Sequence, residues 1–249
     1  MRVVTTCHKA GWDQYGPQCL DGLKKWPADA EIRWYTEGFD LPKQGKVVEV
    51  KGESLERLQA FKSRWRHLKP PDWRFDVVRF ANKAYALYDA LRDYDGFGVW
   101  MDADIVTHKR MPKDYLRNLL PEGYYVGLFQ RDGMHTETGL MLFDCSHPQH
   151  QNFMDSYIDW YESGRFQEAY QWHDCVMMDA TVRSYERAEL IKAHNLSGKA
   201  SNHSHPMAVH DFAQYADHLK GNRKRLQYSP ENEHSRRRHA AIQEKHPPG

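Results

Sequence analysis

Two acids separated by one residue, Asp102 and Asp104, follow directly on the apolar run Phe97-Gly-Val-Trp-Met101. A continuous apolar run of this length reads as a strand buried on both faces. In extended backbone, residues i and i+2 point to the same side, so both carboxylates can face one ligand. Two carboxylates held together away from water repel. A divalent cation that prefers hard oxygen ligands, Mn²⁺ or Mg²⁺, relieves that repulsion and completes its shell with phosphate oxygens and water. The competing reading of an Asp-x-Asp pair is an Asx turn leaving a strand.

The elements that must position this pair read as α/β. Strands are expected at 2–6, 31–36, 46–50, 97–101, 124–129 and 139–143 from their apolar or alternating patterns. Between the first two, Gly11, Gly16 and Pro17 mark a loop. The clearest helix carries Val77, Phe80, Ala81, Ala84, Leu87, Tyr88 and Leu91 at i, i+3, i+4 spacing, with Asp76 as its N-cap. A second stripe, Phe153, Tyr157, Trp160 and Tyr161, stops at Gly164, and a further helix is expected over 174–183. Strands alternating with helices imply a mainly parallel central sheet flanked by helices. In such sheets ligands sit beyond the carboxyl ends of the strands.

Composition removes several classes. Lys and Arg number 35 against 34 Asp and Glu, a net charge of +1, so a general nucleic-acid binder, which needs surplus cations, is not expected. Apolar runs fall short of the roughly 20 residues of a membrane span, and the first residues lack a signal-peptide apolar core. Four widely spaced cysteines without a Cys-x-x-Cys fit a reducing compartment, so a cytoplasmic location is expected. From about Gly221 the chain turns polar and basic. The organisation expected is one domain over 1–225 and a basic tail over 226–249, which ends in His246-Pro-Pro-Gly249.

In sequential order, the pieces resemble GT-A-type glycosyltransferases, enzymes that move a sugar from a nucleoside-diphosphate donor. Trp100-Met-Asp102-Ala-Asp104 is similar to their Asp-x-Asp site. The opening Val-Val-Thr5-Thr6-Cys7 resembles their nucleotide-binding strand and loop. Arg79-Phe-Ala-Asn82-Lys83 resembles the helix that brings a basic residue to the donor. Thr136-Glu137-Thr138-Gly139 resembles the segment lining the acceptor or transferred sugar, and Trp172-His173-Asp174 the acidic segment near the reacting carbon. Asp217-His218-Leu-Lys220-Gly221-Asn-Arg223-Lys224 resembles the C-terminal segment that grips metal and diphosphate.

The resemblance implies a metal-dependent transferase with a single GT-A-like domain, a nucleoside-diphosphate sugar as donor and a sugar or other hydroxyl as acceptor. Asp104 and His218 would ligate Mn²⁺ or Mg²⁺, with Asp102 as ligand or ribose contact. Thr5, Thr6, Cys7, Arg79, Lys83, Lys220, Gly221, Arg223 and Lys224 would hold the nucleotide and its phosphates. Asp217 would be a helper or a solvent contact. Thr138, Gly139, Trp172 and His173 would face the sugar or acceptor. Asp174 has open roles: general base, stabiliser or nucleophile, or simply N-cap of the following helix. Glu137 is the competing base. Trp12, Trp172 and Tyr125 could stack on base or sugar, or belong to the core. His203, His205 and His210 are secondary metal candidates. A nucleotidyltransferase of related layout, or a non-catalytic nucleotide- or sugar-binding module, are the alternative functions.

Overall fold

The computed structural model describes residues 1–245. The final His246-Pro-Pro-Gly249 of the expected tail lies outside the described residues. The chain runs β1 (Arg2–His8), α1 (Lys9–Gly22), β2 (Glu31–Glu37), β3 (Val47–Lys51), α2 (Glu56–Trp65), α3 (Val77–Leu91), β4 (Phe97–Met101) and β5 (Ile105–Thr107). It continues through α4 (Tyr115–Asn118), β6 (Val126–Phe129), β7 (Glu137–Asp144), α5 (His150–Glu162), α6 (Asp174–Arg187), β8 (Ala193–Asn195), β9 (Ala216–His218), α7 (Arg223–Leu226) and α8 (Glu233–Lys245).

Seven strands form one sheet in the order β3-β2-β1-β4-β7-β6-β8. The first four are parallel neighbours, β7 runs antiparallel to both β4 and β6, and β8 returns parallel to β6. The sheet is therefore mostly parallel and covered on both faces, as the pattern predicts. Alternate residues of each strand feed two separate cores. Val4, Tyr35, Trp100, Met141 and Phe143 pack under α2, α3, α5 and α6. Val3, Trp34, Val99, Met101, Leu140 and Leu142 pack with Cys19 and Leu20 of α1 and with Leu196, Met207 and Phe212 of the C-terminal segment. The aromatic excess is largely spent on the first core, where the rings of Phe61, Trp65, Tyr85, Tyr161 and Phe166 meet edge to face or tilted.

The expected elements are found, with α3 and β4 at their predicted residues and the Asp76 carboxylate accepting from Arg79 N–H as the N-cap of α3. Three readings are corrected. The segment with Gly11, Gly16 and Pro17 is helix, not loop. His8 caps it through Nδ1, which accepts from Gly11 N–H at 3.1 Å, and burial of Cys19, Leu20 and Leu23 outweighs the local propensity. Gly16 is there for room: a Cβ would come within 2.4 Å of the Trp12 ring.

The second correction concerns how the two acids converge. β4 stops at Met101, and Ile105 N–H donates to Asp102 O at 3.0 Å, so residues 102–105 are a tight turn rather than extended chain. The turn delivers β5, which pairs with β9 in a two-stranded ribbon that sets His218 opposite Ile105. These three-residue strands are too short to show a period in sequence.

The third correction concerns the tail. Residues 226–245 fold back on the body, with Ser229, Asn232 and Ser235 fully buried. Asn232 Nδ2 donates to the carbonyls of Ala213 and Ala216, both at 3.2 Å, and its Oδ1 accepts from Ser235 N–H. Asp217, expected as a helper or a solvent contact, is buried, and its Oδ2 accepts from Ser229 N–H at 2.6 Å. Short polar side chains that satisfy buried backbone carry no hydrophobic signal, which is why composition reads this stretch as tail. Removing them strands buried carbonyls. Asn232→Ala is expected to lower unfolding free energy by about 1–3 kcal/mol in a urea titration, whereas no change would make the segment an independent extension.

Candidate active site

At the carboxyl end of β1 and β4 a cleft opens between α1, α3, the first turn of α6 and α7. Thr6, Cys7, His8, Tyr15, Arg79, Lys83, Trp100, Asp102, Asp104, Asp174 and Lys224 line it. The 102–105 turn and the β5–β9 ribbon bring Asp104 Oδ1 to 3.1 Å from His218 Nε2, with Asp102 Oδ2 at 4.0 Å. One ligand atom from each of these three residues lies within 4.8 Å of the others. Asp104 Oδ1 is buried and meets no donor in hydrogen-bond geometry. Two carboxylates and an imidazole converging around an unsatisfied oxygen suit a hard divalent cation such as Mn²⁺ or Mg²⁺.

Charge balance holds this cluster together. Burial alone would raise the Asp104 pKa, but His218 and Lys224, whose Nζ is 2.9 Å from Asp104 Oδ2, reverse that and hold the carboxyl far below its usual range. Burial likewise works against a charge on His218, and Asp104 overrides it, so the imidazole is raised above its ordinary value. Gly139 makes room for this ring: a Cβ there would stand 2.6 Å from His218 Cε1. Gly139 O also accepts from Asp102 N–H at 2.7 Å. Gly139 therefore supports the Asp102–His218 side of the cleft instead of facing a sugar.

Lys83 is the second centre. Its side chain is 8 % exposed. Nζ donates to Thr138 O at 2.6 Å, to Thr138 Oγ1 at 3.0 Å and to Asp102 Oδ1 at 3.2 Å, and pairs with Asp174 Oδ2 at 2.8 Å. Burial disfavours the ammonium, and Asp102 and Asp174 more than restore it, so Lys83 stays charged. Thr138 Oγ1 donates to Asp174 Oδ2 at 2.6 Å. Burial pushes the Asp174 pKa up, and Lys83 and Thr138 bring it below normal. Asp174 is the first residue of α6 while His173 occupies the N-cap position, so its carboxylate is turned into the cleft and not onto the helix end. Trp100, the first residue of the Asp-x-Asp segment but given no role of its own from sequence, donates its indole N–H to Asp102 Oδ1 at 2.7 Å. Its position two residues before Asp102 on a strand is the signal that could have found it.

The remaining expected residues divide. Thr6, Cys7, Arg79 and Lys224 line the cleft, but Thr5 is fully buried behind it. Burial pushes the Cys7 thiol up to about 12, so it stands there as a neutral group. Glu137 is buried and not in the lining; Lys220 Nζ pairs with its Oε2 at 2.6 Å, and Arg131 Nη1 lies 3.9 Å away. Burial opposes its charge, yet Lys220 and His218 hold the carboxyl well below the usual range. Arg223 pairs with Glu231, and Lys224 also sits over the Tyr15 ring at 4.6 Å. Lys83, Lys220, Arg223 and Lys224, expected on phosphate, thus each have an acid partner in this structure. Gly221 adopts φ +61°, a left-handed turn ahead of α7.

Several aromatic and histidine candidates are structural. Trp172 packs edge-on against Phe75 and Phe166, Trp12 lies edge-on to Trp34 and stacks on Phe39, and Tyr125 is fully buried with its hydroxyl 3.0 Å from His150 Nδ1. Trp172, expected to face the sugar, is partly buried against the aromatic core. His203 and His210 accept local backbone N–H groups through Nδ1, and His205 Nε2 lies 3.2 Å from His218 O behind the metal candidate. His8 and Tyr15, not predicted for the site, join its wall because α1 is a helix.

No known sequence family matches the chain, and no curated protein resembles it in sequence. Solved structures do match. Mouse xyloside xylosyltransferase 1 in its apo form superposes with a TM-score of 0.50 at 10 % identity, over 78 % of this chain and 83 % of that one. The glycosyltransferase GlyE of Streptococcus pneumoniae gives 0.47 at 11 % identity, over 79 % of this chain and 45 % of its own length. A galactosyltransferase, LgtC, crystallised with donor and acceptor sugar analogs, gives 0.40 at 14 % identity over 70 % of this chain. The fold is that of GT-A-type glycosyltransferases, as the order of motifs predicts.

Removing Lys83 leaves Asp174 buried without its cation. Lys83→Met is expected to cost about 3–5 kcal/mol at pH 7. In the native protein the depressed Asp174 pKa stabilises above the unfolded value and fades as pH falls through the folded one. In the variant burial, the largest influence, is opposed by Thr138 but no longer by Lys83, so that pKa rises; once above the unfolded value the sign inverts and acid favours the variant's fold. The stability gap measured by urea unfolding should therefore narrow between pH 7 and pH 4.5; a constant gap would contradict the pairing.

Proposed function

We propose that this protein is a metal-dependent glycosyltransferase that uses a nucleoside-diphosphate sugar and passes its sugar to a hydroxyl acceptor. The observation that carries the reading is the meeting of the Asp102, Asp104 and His218 triad with the Lys83–Asp174 pair in one cleft beyond the carboxyl ends of parallel strands. The fold, shared with glycosyltransferases, supports it. Among the described residues no helix is long and apolar enough to cross a membrane. A cation held by Asp104, His218 and Asp102, Mn²⁺ in our reading, supplies positive charge to the diphosphate leaving group.

The chain's own groups do the rest. To ligate, His218 would have to be neutral, its proton passing to solvent. Lys224 releases Asp104 and turns its ammonium onto a phosphate oxygen, with Arg79 at the mouth of the cleft as a second donor. Lys220 and Arg223 stay engaged with Glu137 and Glu231 and shape the loop that carries Lys224. Thr6 and Cys7 form the floor beneath the nucleotide. Lys83 keeps Asp174 ionised and fixed in place.

We assign the catalytic carboxylate to Asp174, because it lines the cleft and Glu137 does not. A general base works best with a pKa near the operating pH. Asp174 lies below normal, which suits stabilisation of positive charge at the anomeric carbon, a preorganised electrostatic role. The test is a screen of nucleoside-diphosphate sugars with Mn²⁺, reading release of the diphosphate. Asp174→Asn should lower kcat by at least about 100-fold, a loss in the range for removal of a key electrostatic group, with donor Kd within about threefold. Equal loss of donor binding would remove Asp174 from the chemistry. Tight donor binding with no turnover in the native protein would make it a binding module, and turnover of a nucleoside triphosphate a nucleotidyltransferase.

A further inference from the structure

On the far side of Asp174 three side chains gather that the reaction above does not use. His135 stands in the loop between β6 and β7, His173 at the N-cap of α6, and Cys175 in that helix's first turn. One ligand atom from each lies within 4.8 Å of the other two, and the imidazole rings meet edge to face at 4.4 Å. We propose that His135, His173 and Cys175 form a second metal site, one that takes a borderline-soft divalent cation such as Zn²⁺.

The donor set differs in kind from the first. Two imidazoles and one sulfur select zinc-like ions, whereas the carboxylates of Asp102 and Asp104 select hard ones. A metal-ligating histidine is oriented by a partner on its other nitrogen. His173 has that partner: Nε2 lies 2.9 Å from Gln171 Oε1, which fixes the ring and leaves the lone pair on Nδ1. Burial keeps both imidazoles uncharged, His135 at about 4, so their lone pairs are free for a cation. Burial also pushes the Cys175 thiol up to about 12. A cation bound there forms a bond to sulfur, breaks the S–H bond and releases the proton to solvent.

Access and room are present. His135 is half-buried and lines a cleft of ≈ 930 Å³ together with Arg131, Tyr170, Gln171 and Asp179, separate from the donor cleft. Zinc bonds of about 2.0–2.3 Å place ligand atoms roughly 3.3–3.8 Å apart in a tetrahedron. The loop carrying His135, which lines the cleft, would close by ~1 Å to reach that. Cys175 Sγ lies 3.1 Å from Thr138 Oγ1, the hydroxyl that donates to Asp174, so the two sites touch through one side chain.

Titration with Co²⁺ as a zinc surrogate tests the assignment by the thiolate-to-metal charge-transfer band in the near ultraviolet. The band should appear at one equivalent in the native protein and in Asp104→Ala/His218→Ala, and should vanish in Cys175→Ser and in His135→Ala. Gln171→Ala should weaken Zn²⁺ binding about 10–100-fold by competition with a chromophoric chelator. Circular dichroism identifies any variant that fails to fold, and the loop variant His135→Ala then carries the test alone. Absence of the band in the native protein overturns the proposal. So does a band that survives in Cys175→Ser or His135→Ala, and so does one lost in Asp104→Ala/His218→Ala, which would assign the sulfur to Cys7 in the donor cleft.

Discussion

The cleft depends on one buried cation. The Lys83 ammonium stands among Asp102, Asp174 and Thr138 and so ties together α3, the end of β4, the start of β7 and the first turn of α6. A charge this buried is tolerated only with full pairing. Lys83 has it, with two carboxylates, a carbonyl and a hydroxyl around it. In return it holds the Asp174 pKa below normal and opposes the burial that raises the Asp102 pKa. Without that counter-charge, like-charge repulsion and burial would push at least one carboxyl toward its neutral form.

Around this pair the rest of the site is balanced in the same way. Asp104 faces His218 and Lys224, Glu137 faces Lys220, and Glu231 faces Arg223. The net charge of +1 thus hides a dense alternation of sign at the carboxyl end of the sheet. An anionic ligand that arrives with a cation is met by groups already present in matched numbers. In the proposed reaction Lys224 would exchange Asp104 for a phosphate oxygen, one acid partner for another.

Much of this is legible in the sequence because it rests on local pattern. The buried strand before Asp102, the stripe of α3 and its Asp76 cap come from period and residue type alone, and the order of motifs along the chain points to the fold. What is not legible rests on distant contacts. The acids converge through a tight turn and a ribbon of two three-residue strands, and His218 reaches them only by that register. Helix α1 looks like loop because its glycines serve packing, and packing outweighs their propensity. The segment after residue 225 looks like tail because serine and asparagine do the burying there, tied to Asp217 and to backbone carbonyls of the body. For Trp172 and Tyr125 the sequence leaves stacking on a ligand and core packing both open, and both pack against core rings.

The central claim is that Asp102, Asp104 and His218 form a cation site that recruits a nucleoside diphosphate. Electron paramagnetic resonance of Mn²⁺ tests it most directly, since free and protein-bound ions are distinguished without turnover. The account predicts one tight Mn²⁺ site in the native protein, tighter still when a nucleoside diphosphate is added, and lost in both Asp104→Ala and His218→Ala with their folds intact. An unchanged Mn²⁺ titration in His218→Ala, or nucleoside diphosphate binding indifferent to Mn²⁺, would contradict it.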